Sequence, residues 1–274
     1  TGAAALQLER FTSEAKKPAE DLQNDSLHQA AAAAHKAMEA VAEAVAKKVS
    51  GGLSTFEHTA QQSGGLNFSG AAVPWKAVNQ FTKESVEVSL PGAQLGGLPM
   101  PPVRDFTEAS PLVDGLTKRT GGTYTVFQRM NSEGDMLRVA TSVKTKEGKR
   151  GVGTYIPASM PDGKPNPVVA AVMKGETFSG PAFVVDSWVH AEYRPLKDSN
   201  GQVIGMIYAG ERQQSSQAIA HYFSGGAVGD HGRIFAIKGK GSDKGQFLVP
   251  PKGYEQGASG LELLDGEGLP YLSA

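Results

Sequence analysis

Residues 123–210 carry the pattern that most constrains the fold of this chain. Short runs rich in β-branched and aromatic residues alternate there with turn-forming groups such as NSEG at 131–134 and DSNG at 198–201. One helical run lies between them, and Pro167 follows the capping residue Asn166 at its start. The pattern predicts a curved antiparallel sheet with a helix over one face and a small pocket between them. The predicted strands are 123–130, 136–143, 177–185, 188–196 and 203–209, and the helix is 166–174.

Composition bounds the class of protein further. The chain has 274 residues with 39% hydrophobic content, which suits an ordinary globular fold. Its net charge is −1 and its basic residues are scattered among acidic ones, which argues against nucleic acid as a partner. The absence of cysteine favours an oxidising compartment. No apolar run approaches the ~20 residues that cross a bilayer. The chain starts at Thr1-Gly2-Ala3 without Met, so we expect it to be excised from a longer protein in which membrane spans flank it.

The chain divides into three predicted segments, 1–50, 51–210 and 211–274. The first is rich in Ala, Leu, Glu, Lys and Gln, which predicts a long helix that Ser50-Gly51-Gly52 is expected to end. Apolar residues spaced four and three apart form a seam on this helix, which packs along its own domain or pairs with a second copy. The seam consists of Leu27, Ala31, Ala34, Met38, Val41 and Val45.

The remaining elements are predicted from weaker signals. Residues 75–90 alternate well enough to form a strand, and a cap followed by proline predicts a short helix at 110–117. In the third segment we expect a connector helix at 211–221, strands at 232–237 and 245–249, and a helix beginning at 261. Because this segment is too short for an independent sheet domain, we interpret it as part of a second module.

The sequence contains no obvious enzyme machinery. It has no His-Glu-x-x-His run, and the absence of cysteine excludes thiolate metal sites and thiol nucleophiles. Neither a phosphate-binding glycine loop nor a Gly-x-Ser-x-Gly elbow is present. We therefore expect no metal, no cofactor and no catalytic activity. The alternative is a secreted enzyme that uses His190, Glu192 and Arg138.

Arg138 is the first candidate for ligand binding. It lies in the middle of the apolar run MLRVAT at 136–141, so its guanidinium must reach solvent or meet an acceptor. One interpretation is an outward-facing side chain paired with a surface carboxylate. The other is a guanidinium fork that binds the carboxylate of a ligand.

Aromatic residues and one histidine complete the predicted site. Trp188 and His190 share one face of their strand and Tyr193 the other, and one of these faces must look at the pocket. Tyr155 precedes the loop expected to cover the pocket mouth, and Tyr208 on the last strand is a candidate of the same kind. Ordinary core packing is the alternative for each of them. The predicted ligand-binding residues are Arg138, Tyr155, Trp188, His190, Tyr193 and Tyr208.

Several runs, taken in order, carry a resemblance to a known family. They are WKAVNQFTK at 75–83, MLRVATSV at 136–143, GTYIP at 153–157, YRPL at 193–196 and VIGMIYAG at 203–210. This arrangement resembles the extracytoplasmic Cache sensor domains, in particular the Cache3–Cache2 fusion type of bacterial methyl-accepting chemotaxis proteins. The resemblance covers about residues 70–250.

The resemblance implies a PAS-like α+β fold. Its parts would be a long N-terminal helix, a central antiparallel sheet of about five to six strands and a small, partial membrane-proximal module. It also implies the periplasmic domain of an inner-membrane chemoreceptor, which binds a small molecule and passes its occupancy across the membrane through flanking spans. We expect a homodimer in the full-length receptor.

The class of ligand is narrowed by a departure from the family pattern. Amino-acid-binding relatives carry an Arg-x-Trp-Tyr run, whereas this chain has Asp186 before Trp188 and Val189 after it, which speaks against amino acids. Arg138 and the start of the 166–174 helix favour a short carboxylate such as acetate or propionate. A histidine kinase or a cyclic-dinucleotide enzyme is an alternative output of the sensor, and an adhesive protein assembled through the Ala-rich helix is a further alternative.

Overall fold

The computed structural model of the protein describes residues 2–185, 187–212, 227–228, 232–233, 236–237, 244–250, 254 and 258–260. The chain divides into two compact units, one formed by Glu43–Gln213 and the other by Thr1–Ala42 with Gln214–Ala274. None of the helices described in these ranges combines the length and the apolar character of a membrane-spanning segment.

Three helices and thirteen strands make up the described part of the chain. The helices are α1 (Gly2–Gln62), α2 (Pro111–Thr120) and α3 (Pro167–Met173). The strands of the unit Glu43–Gln213 are β1 (Leu66–Asn79), β2 (Ser85–Leu95), β3 (Leu98–Pro99), β4 (Thr123–Arg129), β5 (Met136–Thr141), β6 (Thr154–Ile156), β7 (Phe178–Val184), β8 (Ser187–Lys197) and β9 (Val203–Arg212). In the other unit β10 (Ala227–Val228) pairs with β11 (Gly232–Arg233), and β12 (Ala236–Ile237) pairs with β13 (Phe247–Val249), both antiparallel.

The unit Glu43–Gln213 is built on a nine-stranded sheet in the order β3-β2-β1-β6-β5-β4-β9-β8-β7. Neighbouring strands run antiparallel except β1 and β6, which are parallel. The predicted α+β class is confirmed, as are the five strands and the helix predicted within 123–209. The sheet is wider than the expected five to six strands because β1, β2, β3 and β6 extend it on one side.

Two predictions near the ends of this sheet are wrong. Residues 75–90 were expected to form one strand, but β1 ends at Asn79 and β2 begins at Ser85, with a turn between them. Residues 211 and 212 were assigned to a connector helix, but they continue β9 because they pair with Val189 and His190 of β8. The rest of that helix and the helix predicted from 261 lie outside the described residues.

Helix α1 does not end at Ser50-Gly51-Gly52 as predicted, because it continues to Gln62. Apolar side chains beyond the two glycines are fully buried, among them Leu53 and Phe56. Their burial outweighs the cost of about 1 kcal/mol for each glycine in a helix interior. Gly52 also allows the close approach of the helix to the sheet, since a Cβ there would collide with the hydroxyl of Tyr124.

The two faces of the sheet carry separate hydrophobic cores. One face packs against α1 and α2 through residues that include Leu53, Leu116 and Ile207. The other packs against α3 through residues that include Val172 and Tyr208. Because neighbouring residues of a strand point to opposite faces, Ile207 and Tyr208 contribute to different cores. We call these the α1 face and the α3 face.

Candidate functional site

Arg138 lies on the α3 face, as does Met136 two residues before it on β5. In the β4–β5 pair Val126 is opposite Ala140, but the next residue, Phe127, is opposite Arg138, so β5 contains one extra residue at this point. The extra residue is Val139, so this β-bulge follows Arg138 in the chain and places Ala140 on the α1 face together with Val139. The Arg138 guanidinium carbon lies 4.9 Å from the centre of the Phe127 ring, which belongs to the core of the α3 face.

The Arg138 side chain is completely buried, with an exposed fraction of 0%. Its Nη1 donates to Thr154 Oγ1 at 2.8 Å and its Nη2 donates to Gln80 Oε1 at 2.9 Å, so both partners are neutral. Among the described residues no acceptor meets its Nε, and no carboxylate lies within ion-pair distance. Burial lowers the pKa of Arg138, yet a guanidinium remains charged in proteins. The result is a buried positive charge for which the described residues supply no counter-ion.

A second buried arginine shows how differently this fold treats a structural guanidinium. Arg150 is 5% exposed, and its two terminal nitrogens donate to the two carboxylate oxygens of Asp114 at 2.7 and 2.8 Å. Asp114 lies in the first turn of α2, so the pair ties that helix to the sheet. Backbone carbonyls complete the shell of Arg150, and they belong to Asp105, Glu108 and Thr141. The charge of Arg150 is therefore neutralised within the fold.

Two buried tyrosines lie near Arg138. The rings of Tyr193 and Tyr208 are 5.0 Å apart, and Tyr193 also packs against Phe127, whose ring lies under the Arg138 guanidinium. Burial raises the pKa of Tyr193 far above its ordinary value, so its hydroxyl stays protonated. That hydroxyl has no hydrogen-bond partner in the described part of the chain. We use the name Arg138 cluster for six residues, which are Arg138, Tyr193, Tyr208, Gln80, Phe127 and Thr154.

The end of β7 covers the Arg138 cluster. Val184 pairs with Ser187, so two residues connect β7 to β8, and the first of them, Val185, has φ 59°. This backbone conformation is strained for a β-branched residue. Val185 is buried against Gly151, where an added Cβ would lie 3.0 Å from Val185 Cγ2 and 3.8 Å from Arg138 Cδ.

Two further contacts attach β7 beside this cover. Gln80 Nε2 donates to the carbonyl of Phe183 at 3.3 Å, and the Phe81 and Phe183 rings stack at 5.9 Å. Since the guanidinium is fully covered in this conformation, a ligand reaches it only when part of the cover moves. Val185 is the strained part of that cover.

The structure brings together three of the predicted site residues, Arg138, Tyr193 and Tyr208. Tyr155 packs on the α1 face instead, and its hydroxyl accepts a hydrogen bond from Asn79 Nδ2 at 3.4 Å. His190 is half-buried, and strand alternation places it on the α1 face. Trp188 pairs with Phe183 through the backbone, and its side chain lies outside the described part. A role in ligand binding stays a prediction for all six residues.

The predicted enzyme site is not assembled. Glu192 lies on the α1 face, whereas Arg138 lies on the other side of the sheet. Glu192 accepts hydrogen bonds from Arg194 Nε at 3.0 Å and from Arg194 Nη2 at 2.7 Å. Its other contact is with Ser50 of α1 at 3.5 Å. Glu192 is therefore part of the attachment of α1 to the sheet. Within the described ranges no group of three or more histidine and acidic residues could hold a metal ion.

Sequence reasoning missed three members of the Arg138 cluster, which are Gln80, Phe127 and Thr154. Gln80 and Thr154 are far from Arg138 along the chain, and no local pattern marks them.

Two clefts of about 250 and 350 Å³ also lie on this unit, and both are lined by Arg129, Gln202 and Val203. Neither of these two clefts is lined by Arg138.

Comparison with known proteins identifies the family to which this architecture corresponds. A family model described as the Cache 3/Cache 2 fusion domain matches residues 12–274. No curated protein matches the chain. The matched region includes all the members of the Arg138 cluster.

Proposed function

This chain belongs to the Cache 3/Cache 2 fusion family of extracytoplasmic, ligand-binding sensor domains, and from that premise we propose that it serves a transmembrane chemoreceptor by binding a short carboxylate, such as acetate or propionate, at Arg138. The proposal places the domain in the periplasm, anchored to the inner membrane by spans that flank the chain. Residues 51–210 would bind the ligand, and residues 211–274 would contribute to a membrane-proximal module.

The observation that carries the proposal is the buried charge of Arg138, which none of the described residues neutralises. Leaving a buried ion without a counter-ion costs several kcal/mol. The described residues supply only neutral acceptors from Gln80 and Thr154. A bound carboxylate would supply the missing charge and would accept hydrogen bonds from the unpartnered Arg138 Nε and Tyr193 hydroxyl.

Strand β8 offers a route from the ligand to α1. It carries Tyr193 on the α3 face and Arg194 on the α1 face. Arg194 donates to Glu57 at 2.5 Å and to Ser54 at 3.2 Å, both in α1. A ligand that shifts Tyr193 would therefore displace the ion pairs that hold α1 on the sheet. Coupling free energies of about 1–3 kcal/mol are usual for such a two-state element.

The output would follow from how α1 is connected. In a homodimer paired through the apolar seam of α1, a displacement of this helix would change the geometry between two copies. The same mechanism would serve a histidine kinase or a cyclic-dinucleotide enzyme, so the flanking segments decide the output. Chemotaxis is the output that the resemblance favours.

A thermal-shift screen tests the proposal. Short monocarboxylates, dicarboxylates, amino acids and polyamines are added at constant pH and ionic strength, with chloride as the reference anion. A ligand at 100 times its Kd stabilises a protein by about 2.7 kcal/mol, which corresponds to a Tm rise of about 5–10 °C for a domain of this size. We expect a rise of this order for acetate or propionate.

Two variants make the screen specific for Arg138. Arg138→Met removes the buried charge and is expected to abolish the shift. Lys197→Met removes the same charge from an exposed residue in the 250 Å³ cleft and is expected to retain it. If no carboxylate raises the Tm of the unaltered protein, or if both variants retain the shift, the proposal is wrong.

A further inference from the structure

We propose that Gln80 sets the charge of the Arg138 cluster and thereby restricts the ligands to monoanions without an ammonium group. The inference rests on the proposed function, because it concerns the selectivity of the same site. Gln80 is 2% exposed, and its amide bridges two elements of the cluster. Its Oε1 accepts from Arg138 and its Nε2 donates to the Phe183 carbonyl.

The position of Gln80 is fixed by its backbone as well as by its side chain. Its N–H donates to the carbonyl of Tyr155 at 3.1 Å, and its carbonyl accepts from Lys83 Nζ at 2.7 Å. The amide orientation is also determined, since only the oxygen can face the guanidinium and only the NH₂ can face the Phe183 carbonyl. Gln80 therefore orients Arg138 firmly and contributes no charge to it.

The balance of charges in the cluster follows from its members. The Tyr193 hydroxyl is protonated because burial raises its pKa, and Thr154 and Gln80 are neutral. No carboxylate of the described residues forms an ion pair with Arg138. The cluster consequently has one positive charge, and one bound carboxylate neutralises it.

An ammonium group on the ligand would have no anionic partner among the members of this cluster. Next to Arg138 it would meet a like charge, and juxtaposed like charges cost several kcal/mol. A second carboxylate on the ligand would likewise lack a counter-ion. The two unpartnered donors, Arg138 Nε–H and Tyr193 O–H, suit the two oxygens of a single carboxylate. The predicted class is thus a small monocarboxylate with an uncharged remainder.

The charge-setting role has a direct test, because glutamate has nearly the shape of glutamine. In Gln80→Glu an internal carboxylate would occupy the acceptor position beside Arg138 and neutralise it. We expect the Kd for acetate and propionate, measured by isothermal titration calorimetry on the full chain, to rise at least 100-fold. Gln202→Glu adds the same charge on an exposed turn of the same unit and is expected to leave these affinities within threefold.

A second measurement needs no variant. Glycine and β-alanine are acetate and propionate with an added ammonium group, and we expect each to bind the unaltered protein at least 100-fold more weakly than its parent acid. If Gln80→Glu folds, as judged by circular dichroism, and binds acetate as tightly as the unaltered protein, the inference is overturned while the proposed function stands. If Gln80→Glu does not fold, the amino-acid pairs decide, and equal affinity for glycine and acetate overturns it. If no monocarboxylate binds the unaltered protein, the proposed function fails first.

Discussion

The adjacent glycines Gly51 and Gly52 of α1 provide a sharp test of how this helix lies on the sheet. A Cβ added at Gly51 would meet nothing within 4 Å, whereas one at Gly52 would collide with the Tyr124 hydroxyl. The Tyr124 side chain cannot swing away, because it is 1% exposed and its ring packs edge-on against Phe56 with centroids 5.8 Å apart. The two sites therefore differ in packing although they share a helical backbone.

Alanine is expected to affect stability differently at these two sites. Alanine in place of glycine in a helix interior gains about 1 kcal/mol, so Gly51→Ala should stabilise by about that amount. Gly52→Ala has the same gain, but overpacking against a buried ring costs about 1–3 kcal/mol or more. We expect Gly52→Ala to be less stable than Gly51→Ala by about 1–3 kcal/mol.

Urea unfolding followed by circular dichroism measures both variants. Tyr124→Phe provides the rescue, because it removes the hydroxyl that the new Cβ would strike, and in that background Gly52→Ala should cost much less. The Tyr124 hydroxyl also forms a hydrogen bond with Thr120 Oγ1 at 2.5 Å, which Tyr124→Phe removes. The double variant is therefore compared with Tyr124→Phe alone. If Gly52→Ala stabilises as much as Gly51→Ala, α1 does not lie against Tyr124 as described.

Two further predictions concern the buried polar groups. Burial, the largest single influence, raises the pKa of Asp114, but hydrogen bonds from Arg150 and the Ser110 N–H outweigh it and hold the pKa below the ordinary value. Asp114 therefore contributes stability above its unfolded pKa of about 3.9, and this contribution is lost as pH falls through the lower folded pKa. Asp114→Asn should cost about 3–5 kcal/mol of stability at pH 7 because it leaves Arg150 without its ion-pair partner. In urea unfolding from pH 7 to 3, the variant should lose less stability than the unaltered protein. An unchanged pH profile would contradict the role of this pair. Tyr193→Phe removes a buried hydroxyl for which the described part of the chain shows no hydrogen-bond partner, so thermal melting should find the ligand-free protein no less stable. Its affinity for acetate should fall about tenfold, equivalent to about 1.4 kcal/mol. A loss of ligand-free stability would show that this hydroxyl already has a partner.

Much of the sheet was predictable because its signals are local. Strands β4, β5, β7, β8 and β9 follow from runs of β-branched and aromatic residues between turn groups. Helix α3 follows from Asn166, whose side chain accepts from the Val168 N–H as a cap should, and from Pro167 after it. The path of α1 through Gly51 and Gly52 was not predictable, since tertiary packing there overrides a helix-ending signal.

The candidate site was predictable only in part, for a similar reason. Arg138 is conspicuous in the sequence as a charge in an apolar run, and Tyr193 and Tyr208 follow from their strands. The face to which Arg138 points depends on how β5 packs within the whole sheet, and this has no local sequence signature. Gln80 joins the cluster through a long-range contact that propensity and periodicity do not reveal.

The central claim is that the buried charge of Arg138 receives the carboxylate of a ligand. The most direct measurement is a crystal structure of the protein with the short monocarboxylate that raises its Tm most. We expect the carboxylate within hydrogen-bond distance of Arg138 Nε and the Tyr193 hydroxyl, with Gln80 still accepting from Arg138. A carboxylate bound elsewhere, for instance beside Lys197, or an Arg138 paired with a carboxylate of the protein itself, would contradict it.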